Sequence, residues 1–317
     1  MKSNKVCILG GTGFVGRHLV AELNSRGVQC VVPSRQPQRH RNLQVAGMAE
    51  LVQVNPFDTD ELADSLSGCD AAVNLVGILN ESGAKRSFKR LHVELSNTLV
   101  EACKKAGVGR LLHMSALNAN EANGPSNYLK TKGEAENRTL TLGQPQIKVT
   151  SFRPSVIFGE DDSFFNRFAD LLQLAPGPFP LACPNARFAP VYVGDVVKGM
   201  CNALDDSSTW GKHYAMCGPE TYTLKELVEY TAKAIGKRKM IIGLSNGLSA
   251  LQARMLGLLP GKPFSYDNYL SMQVDSVCSE DGLKQLGIDA TCIDSVAPYF
   301  LADRSERLRY YNLITRL

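Results

Sequence analysis

Lys5-Val-Cys-Ile-Leu-Gly-Gly-Thr-Gly-Phe-Val-Gly16 is the stretch that decides the fold. A largely apolar run of strand length ends in glycines at positions 10, 13 and 16, and a helical repeat of Val15, Leu19, Val20 and Leu23 starts at once. The pattern predicts a strand, a tight turn and a helix whose N-terminus faces the turn. Glycine lets the backbone pass close to a pyrophosphate, and the free N–H groups and dipole of the helix favour its negative charge. A glycine pattern alone is a weak signal. After a strand, opening a helix, inside a βαβ-sized unit, it reads as a dinucleotide-binding turn.

The next strand, residues 28–32, ends in Pro33-Ser34-Arg35, and no acid appears until Glu50. An Asp or Glu at this position accepts from a ribose 2′-hydroxyl, whereas arginine suits a 2′-phosphate. NADP(H) is therefore expected over NAD(H), with Ser34 and Arg35 as the phosphate clamp and Arg39 in reserve; Arg41 completes a local basic stretch. Strands at 51–54, 71–75 and 110–114 alternate with helical patterns at 59–66 and 88–106. That alternation predicts an α/β protein with a Rossmann-type doubly wound parallel sheet. Val76-Gly77 follows the strand at 71–75, where a ligand would cross the sheet edge.

Length and charge exclude several classes. With 317 residues and a net charge of +4, evenly spread, the chain can bury a large core and lacks the electrostatic footprint of a nucleic-acid binder. Nine cysteines without a C-x-x-C pair suggest buried free thiols in a reducing compartment, not a disulfide framework or zinc site. No secretory leader is expected before Gly10, and no apolar run reaches the roughly 18 to 20 residues of a membrane span. The expectation is a cytoplasmic protein with a small-molecule substrate.

Tyr128-Leu-Lys-Thr-Lys132 opens a further helical pattern, and of the ten tyrosines only Tyr128 has a lysine four residues on. The two share a helix face. A nearby ammonium stabilises the phenolate and lowers a tyrosine pKa that starts near ~10, making the phenol a usable proton donor to a carbonyl. Ser115, at the end of the strand 110–114, is placed to bond the same substrate oxygen. Taken alone, such a Tyr–Lys pair is more often a surface feature.

Gly10-x-x-Gly13-x-x-Gly16, Ser115, Tyr128-x-x-x-Lys132 and Arg153-Pro-Ser-Val-Ile-Phe-Gly159 together resemble the short-chain dehydrogenase/reductases, in their extended and atypical branch, over nearly the whole chain. Asn74-Leu-Val-Gly-Ile-Leu79, His113-Met-Ser-Ala-Leu117 and Met272-Gln-Val-Asp275 are similar to the subfamily of NADPH-binding accessory subunits of respiratory complex I, with its bacterial and ubiquinone-biosynthesis relatives. The resemblance implies that Gly10, Thr12, Gly13, Phe14, Val15 and Gly16 hold the pyrophosphate and that Ser34 and Arg35 hold the 2′-phosphate. It puts Asn55 and Pro56 by the adenine, Val76 and Gly77 under the ribose, and Pro154, Ser155 and Val156 beside the nicotinamide. Ser115, Tyr128 and Lys132 become the catalytic set. Two departures stand out: the family often has Asp where Asn55 stands, and an asparagine of a proton relay near the place of His92. A structural role for His92 is the more frequent case. No metal ligands are implied.

Residues 149–157 continue the sheet as a sixth strand, and beyond 157 the pattern changes. Residues 161–190 are rich in Phe and Pro, 191–197 reads as a short strand entering a helix with Asp195 as cap, and Thr223-Leu-Lys-Glu226 has capping-box spacing. These assign residues 1–160 to the nucleotide domain, with about 188–217 returning to it, and 161–317 to a smaller, interleaved substrate lobe. Residues 240–259 are the most apolar part; a core or lid helix is the commoner cause, a membrane-surface or quinone-side contact the rarer one. The tail 303–317 is basic and aromatic. Two functions stay open. One is an NADP(H)-dependent oxidoreductase on a carbonyl or alcohol; the other is a non-catalytic NADPH-binding accessory protein, peripheral to a membrane or respiratory complex.

Overall fold

The computed structural model describes residues 3–40, 43, 47 and 49–302; Arg41 and the tail 303–317 lie outside them. The chain divides into two compact units. The first comprises Met1–Pro154, Gly194–Met216 and Glu280–Asp289, and the second Ser155–Val193, Cys217–Ser279 and Ala290–Leu317. The chain re-enters the first unit at Gly194, not near 188, because Val191–Tyr192 pairs with Ile157–Phe158 inside the second.

In the first unit β1 (Lys5–Leu9), α1 (Phe14–Ser25), β2 (Gln29–Ser34) and β3 (Glu50–Gln53) are followed by α2 (Thr59–Leu66) and β4 (Ala71–Asn74). Then come α3 (Leu95–Ala106), β5 (Arg110–Met114), α4 (Asn127–Gly143), β6 (Lys148–Pro154) and, much later, β7 (His213–Met216). The strands form one parallel sheet in the order β7-β6-β5-β4-β1-β2-β3. The order reverses at β1, between β2 and β4. In open α/β sheets, ligands bind outside the carboxyl ends of the strands at such a switch point.

The helical stripes read from the sequence hold the sheet. Leu62, Leu66, Leu95, Leu99 and Cys103 are buried against Cys7, Ala72 and Leu111, each large apolar side chain contributing about 1.5–3 kcal/mol when fully buried. Arg110 is one of the charges in this unit's interior. Arg110 of β5 donates to the Ala203 and Leu204 carbonyls at 2.6 and 3.0 Å, the last carbonyls of helix Val193–Leu204, and to Lys148 O at 2.9 Å. Those carbonyls have no partner within their own helix, so the cation and the helix end satisfy each other. Burial still pushes the guanidinium down to about 10.

Four local expectations are corrected. The helix anticipated over 88–106 is wound as a π-helix over Lys89–Glu94, where Leu95 N–H bonds Arg90 O, before the regular α3 begins. The strand anticipated to 157 stops at Pro154, where the chain crosses into the second unit. Asp195 lies in the first turn of a helix that already begins at Val193, not at the cap position before it. The cysteines are not all free: Cys217 and Cys278 form a disulfide, with Cα atoms 5.9 Å apart. Ala189 links the two segments, accepting the Gly218 N–H through its carbonyl and donating its own N–H to Ser276 O. A separation of 61 residues hid that pair.

The second unit packs helix Phe165–Leu174 and helix Leu224–Ala234 around Phe158, Phe165, Leu172, Leu227 and Val228. Thr223 and Glu226 form the capping box their spacing predicts. The apolar segment 240–259 is not one helix. It is a strand, Ile241–Gly243, beside Phe179–Leu181, and then helix Asn246–Leu256, which buries Ser249 and Ala253 and exposes much of the rest.

Candidate nucleotide and active site

The glycine turn sits at the switch point. Gly10 has φ +87°, a left-handed value that costs other residues strain, and a Cβ there would lie 3.2 Å from the Leu75 and Val76 backbone. A Cβ on Gly16 would lie 2.3 Å from Gly10 O, so only glycine lets α1 close onto the turn. Gly13 is the N-cap, no side chain caps the helix, and no acid occupies its first turn. An uncapped, acid-free helix N-terminus behind a turn closed by Gly10 and Gly16 fits a pyrophosphate by donor geometry and by charge. Thr12, Phe14 and Val15 are partly exposed around it.

Ser34 ends β2, its hydroxyl accepting the Gln36 N–H at 3.2 Å, and Arg35 follows, exposed. The register partner of Ser34 on β3 is Gln53; Glu50 pairs with Val31, away from the strand's carboxyl end. Among the described residues, β2 therefore ends in Ser34 with no acid as its register partner. Asn55 is fixed by Glu61, which accepts its N–H at 2.7 Å, and precedes Pro56 beyond β3.

Tyr128 and Lys132 come from the first turns of α4, whose cap is Ser126 accepting Leu129 N–H. Tyr128 is half-buried and lies edge-on to Phe88 and His92, with ring centroids at 6.0 and 5.6 Å. Lys132 is buried and donates to Met114 O at 2.9 Å. Its ammonium would stand 3.1 Å from a Cβ on Gly77, and His92 Nε2 3.8 Å from the same point. Glycine at 77 thus keeps a side chain off the ammonium. Burial pushes Lys132 down to about 8, with the Glu136 carboxylate opposing the shift.

His92 belongs to the π-helical segment and is fully engaged. Its Nε2 accepts the Ile78 N–H at 3.2 Å, which leaves the proton on Nδ1, 2.9 Å from Thr131 Oγ1. A ring with both nitrogens engaged and held neutral positions the Gly77–Ile78 turn and the aromatic wall of Tyr128.

Ser115 is not part of this cluster's hydrogen bonding. Its hydroxyl is buried and donates to Glu136 at 2.7 Å, and Glu136 also accepts from Arg153 Nε at 3.0 Å through both oxygens. The structure brings Tyr128, Lys132, His92 and Gly77 together, and binds Ser115 into a separate Ser115–Glu136–Arg153 cluster. Sequence reading missed Glu136 and Arg153. The available signals were an acid one helical turn beyond Lys132 and a lone arginine in an apolar strand. Pro154 ends β6 and accepts Leu117 N–H. Ser155 and Val156 open the second unit, where Ser155 Oγ bonds Ser276 and the Val156 carbonyl accepts Val191 N–H.

The two buried imidazoles carry a pH dependence. His92 is pushed down to about 2 by burial and then by the Lys132 ammonium and His113. His113 is pushed to about 3 by burial and then by Lys132. An unfolded imidazole titrates near about 6.5. Below that value the unfolded chain takes up protons the folded protein refuses, so stability is present above it and falls as pH drops toward 3. The urea midpoint is expected to decline steadily between about pH 6.5 and 4, and less steeply in His113→Gln. A midpoint flat across that range in the wild-type protein would contradict the buried neutral pair.

Fold, glycine turn and Tyr–Lys helix define a Rossmann-type, NAD(P)-binding α/β protein. Residues 6–217 match the NAD dependent epimerase/dehydratase family, and the chain belongs to that family. It is 29% identical over 295 residues to NADH dehydrogenase (ubiquinone) 1 alpha subcomplex subunit 9, mitochondrial, of Rattus norvegicus, covering 90% of this chain and 77% of that protein. It is 26% identical over 255 residues to the 2-alkyl-3-oxoalkanoate reductase of Stenotrophomonas maltophilia, covering 73% and 76%. Among solved structures it resembles an NADPH-dependent quinone oxidoreductase from Escherichia coli, complexed with NADPH, with TM-score 0.71, 20% identity and coverage of 96% and 99%. At that identity the likeness is one of fold. Among the described residues no helix is long and apolar enough to cross a membrane, and no group of His, Cys, Asp and Glu is placed to hold a metal.

Proposed function

We propose that this protein is an NADP(H)-dependent reductase or dehydrogenase acting on a carbonyl or alcohol carbon of a small, quinone-like substrate. The observation that carries the reading is the Tyr128–Lys132 pair, with Lys132 Nζ buried beside Gly77 and the phenol half-exposed on the same helix face. Bound nicotinamide supplies the hydride chemistry. The protein's part is to hold the nucleotide on Gly10–Gly16 and the Ser34–Arg35 corner, and to exchange a proton at Tyr128 Oη. Lys132 supplies the positive charge that favours the phenolate, and His92 keeps the aromatic wall in place. Ser115 acts at a distance, anchoring α4 to β5 through Glu136.

The Ser34–Arg35 corner supports NADP(H) over NAD(H). Arg35→Ala is expected to weaken NADPH binding by about ten- to a hundredfold, the worth of one or two charge-assisted hydrogen bonds, and to leave NADH nearly unchanged. Titration followed by nicotinamide fluorescence measures both. Equal losses for the two nucleotides would remove Arg35 from the 2′-phosphate.

One observation favours a second reading, a nucleotide-binding accessory protein of a respiratory or quinone-making complex. The Ser115 hydroxyl is committed to Glu136 and is not left for a substrate oxygen. The likeness to a subunit of NADH dehydrogenase over 90% of this chain supports the same role. Tight NADPH binding without NADPH consumption across ketone and quinone panels would favour it over the enzyme.

A further inference from the structure

We propose that the second unit carries a docking surface for an anionic lipid bilayer, formed by helix Asn246–Leu256, the strand before it and an adjoining basic cleft. None of these residues belongs to the nucleotide site, so the inference stands independently of the reaction assigned there.

The helix is apolar on two faces. Ala253 packs into a core with Ala182, Cys183 and Tyr269, and the buried Ser249 accepts the Cys183 N–H at 3.0 Å. That face is complete. On the other side Leu248, Leu251 and Met255, spaced for one helical stripe, are 52%, 53% and 63% exposed, and Leu258 just beyond the helix is 88% exposed. A helix at the surface of a protein that meets only water carries polar residues there. The strand Ile241–Gly243 adds to the same apolar surface. Ile241 is buried, whereas Met240 and Ile242 alternate outward. Ile242 is the register partner of Pro180, and Gln252, next to Leu251, donates to Pro180 O at 3.2 Å. Strand and helix therefore meet at one residue. Contiguous exposed apolar side chains on this scale mark an interaction surface.

Charge identifies the occupant. Lys233, Lys237, Arg238 and Met240 line a cleft of about 600 Å³ at the end of helix Leu224–Ala234, with Glu229 its one acid. From residue 231 to residue 262 the chain holds Lys233, Lys237, Arg238, Lys239, Arg254 and Lys262 and not one Asp or Glu. Lys239 is bound to the Ala175 carbonyl and Arg254 lies 5.0 Å over the Tyr266 ring. The whole chain carries only +4, so this is a local concentration of a single sign bracketing the apolar side chains. Leucine, isoleucine and methionine entering the acyl boundary, with lysine and arginine at the level of anionic headgroups, is the arrangement by which a helix lies in a membrane interface.

Flotation of the full-length protein with phosphatidylcholine vesicles, with and without about one-third anionic phospholipid, tests the proposal. Binding to anionic vesicles is expected to exceed binding to neutral ones by about tenfold, and to weaken as salt rises from about 0.1 to 0.5 M. Leu251→Glu with Met255→Glu, and separately Lys237→Glu with Arg238→Glu, are each expected to reduce binding by about tenfold. A far-UV circular dichroism spectrum and a cooperative urea transition, unchanged in both variants, show that they fold. Three results would overturn the proposal: no binding to anionic vesicles, equal binding by the Leu251/Met255 variant, or a concentration-dependent dimer that this variant abolishes. The last assigns the surface to a second copy of the chain.

Discussion

Tyr128→Phe is expected to lower turnover by about a hundred- to ten-thousandfold, the usual contribution of a positioned proton donor, and to leave NADPH affinity within about twofold. The ring itself is kept, so its edge contacts with Phe88 and His92 survive and the wall of the site does not collapse. What is lost is the one phenolic proton on the helix face shared with Lys132. The pair also predicts how turnover by the wild-type protein responds to pH. Burial has brought Lys132 down to about 8, so its positive charge is present at neutral pH and lost above that value. Carbonyl reduction is expected to decline as pH rises through about 8. NADPH consumption by wild type and variant, measured against one substrate from pH 6 to 9.5, reads both effects. Turnover unchanged in Tyr128→Phe would take the phenol out of the chemistry and leave NADPH as a structural ligand.

The second large effect is at Gly16. Gly16→Ala places a methyl carbon 2.3 Å from the Gly10 carbonyl oxygen, and the atoms it meets are backbone, so no side chain can swing aside. Either α1 withdraws from the turn or the turn opens, and overpacking of this kind costs about 1–3 kcal/mol. On the proposed reading nucleotide binding suffers more than stability does, because the displaced backbone carries the N–H groups that would hold the pyrophosphate. NADPH affinity is expected to fall by about a hundredfold or more, equivalent to the loss of two or so charge-assisted hydrogen bonds. Gly247→Ala is the control. Nothing lies within 4 Å of its added methyl, and its backbone is helical, so it is expected to stabilise by about 0.5–1 kcal/mol. Urea denaturation and NADPH titration on both variants separate the two cases. Tight binding retained by Gly16→Ala would mean that the pyrophosphate is held elsewhere.

Features that a chain dictates locally are legible in its sequence. Strand, turn and helix around Gly10–Gly16 depend on neighbours at most a few residues away, as do the capping box at Thr223 and the shared face of Tyr128 and Lys132. Apolar periodicity marks the strands of the parallel sheet, because a strand buried on both faces must be apolar throughout. What the sequence leaves open depends on partners far along the chain. Ser115 looks available to a substrate because its strand end is where such residues stand. Its hydroxyl is instead taken by Glu136, which faces Ser115 and Arg153 only once α4 packs on β5 and β6. His92 could move protons by composition alone. Its two nitrogens are engaged by Ile78 and Thr131, from a turn and a helix that meet only in the fold.

Cys217 and Cys278 likewise become partners through Ala189, a residue in neither neighbourhood. Residues 240–259 read as apolar, with a core or lid helix as the commoner cause and a membrane-surface or quinone-side contact as the rarer, because hydropathy measures what a segment would gain by leaving water. It does not say whether the fold supplies a surface to receive it. Sequence alone determined the nucleotide-binding framework, since that rests on backbone conformation and short-range spacing. The tertiary structure alone decided which polar groups are spent on each other and which apolar ones are left facing outward. Those are properties of distance in space, and distance along the chain does not encode them.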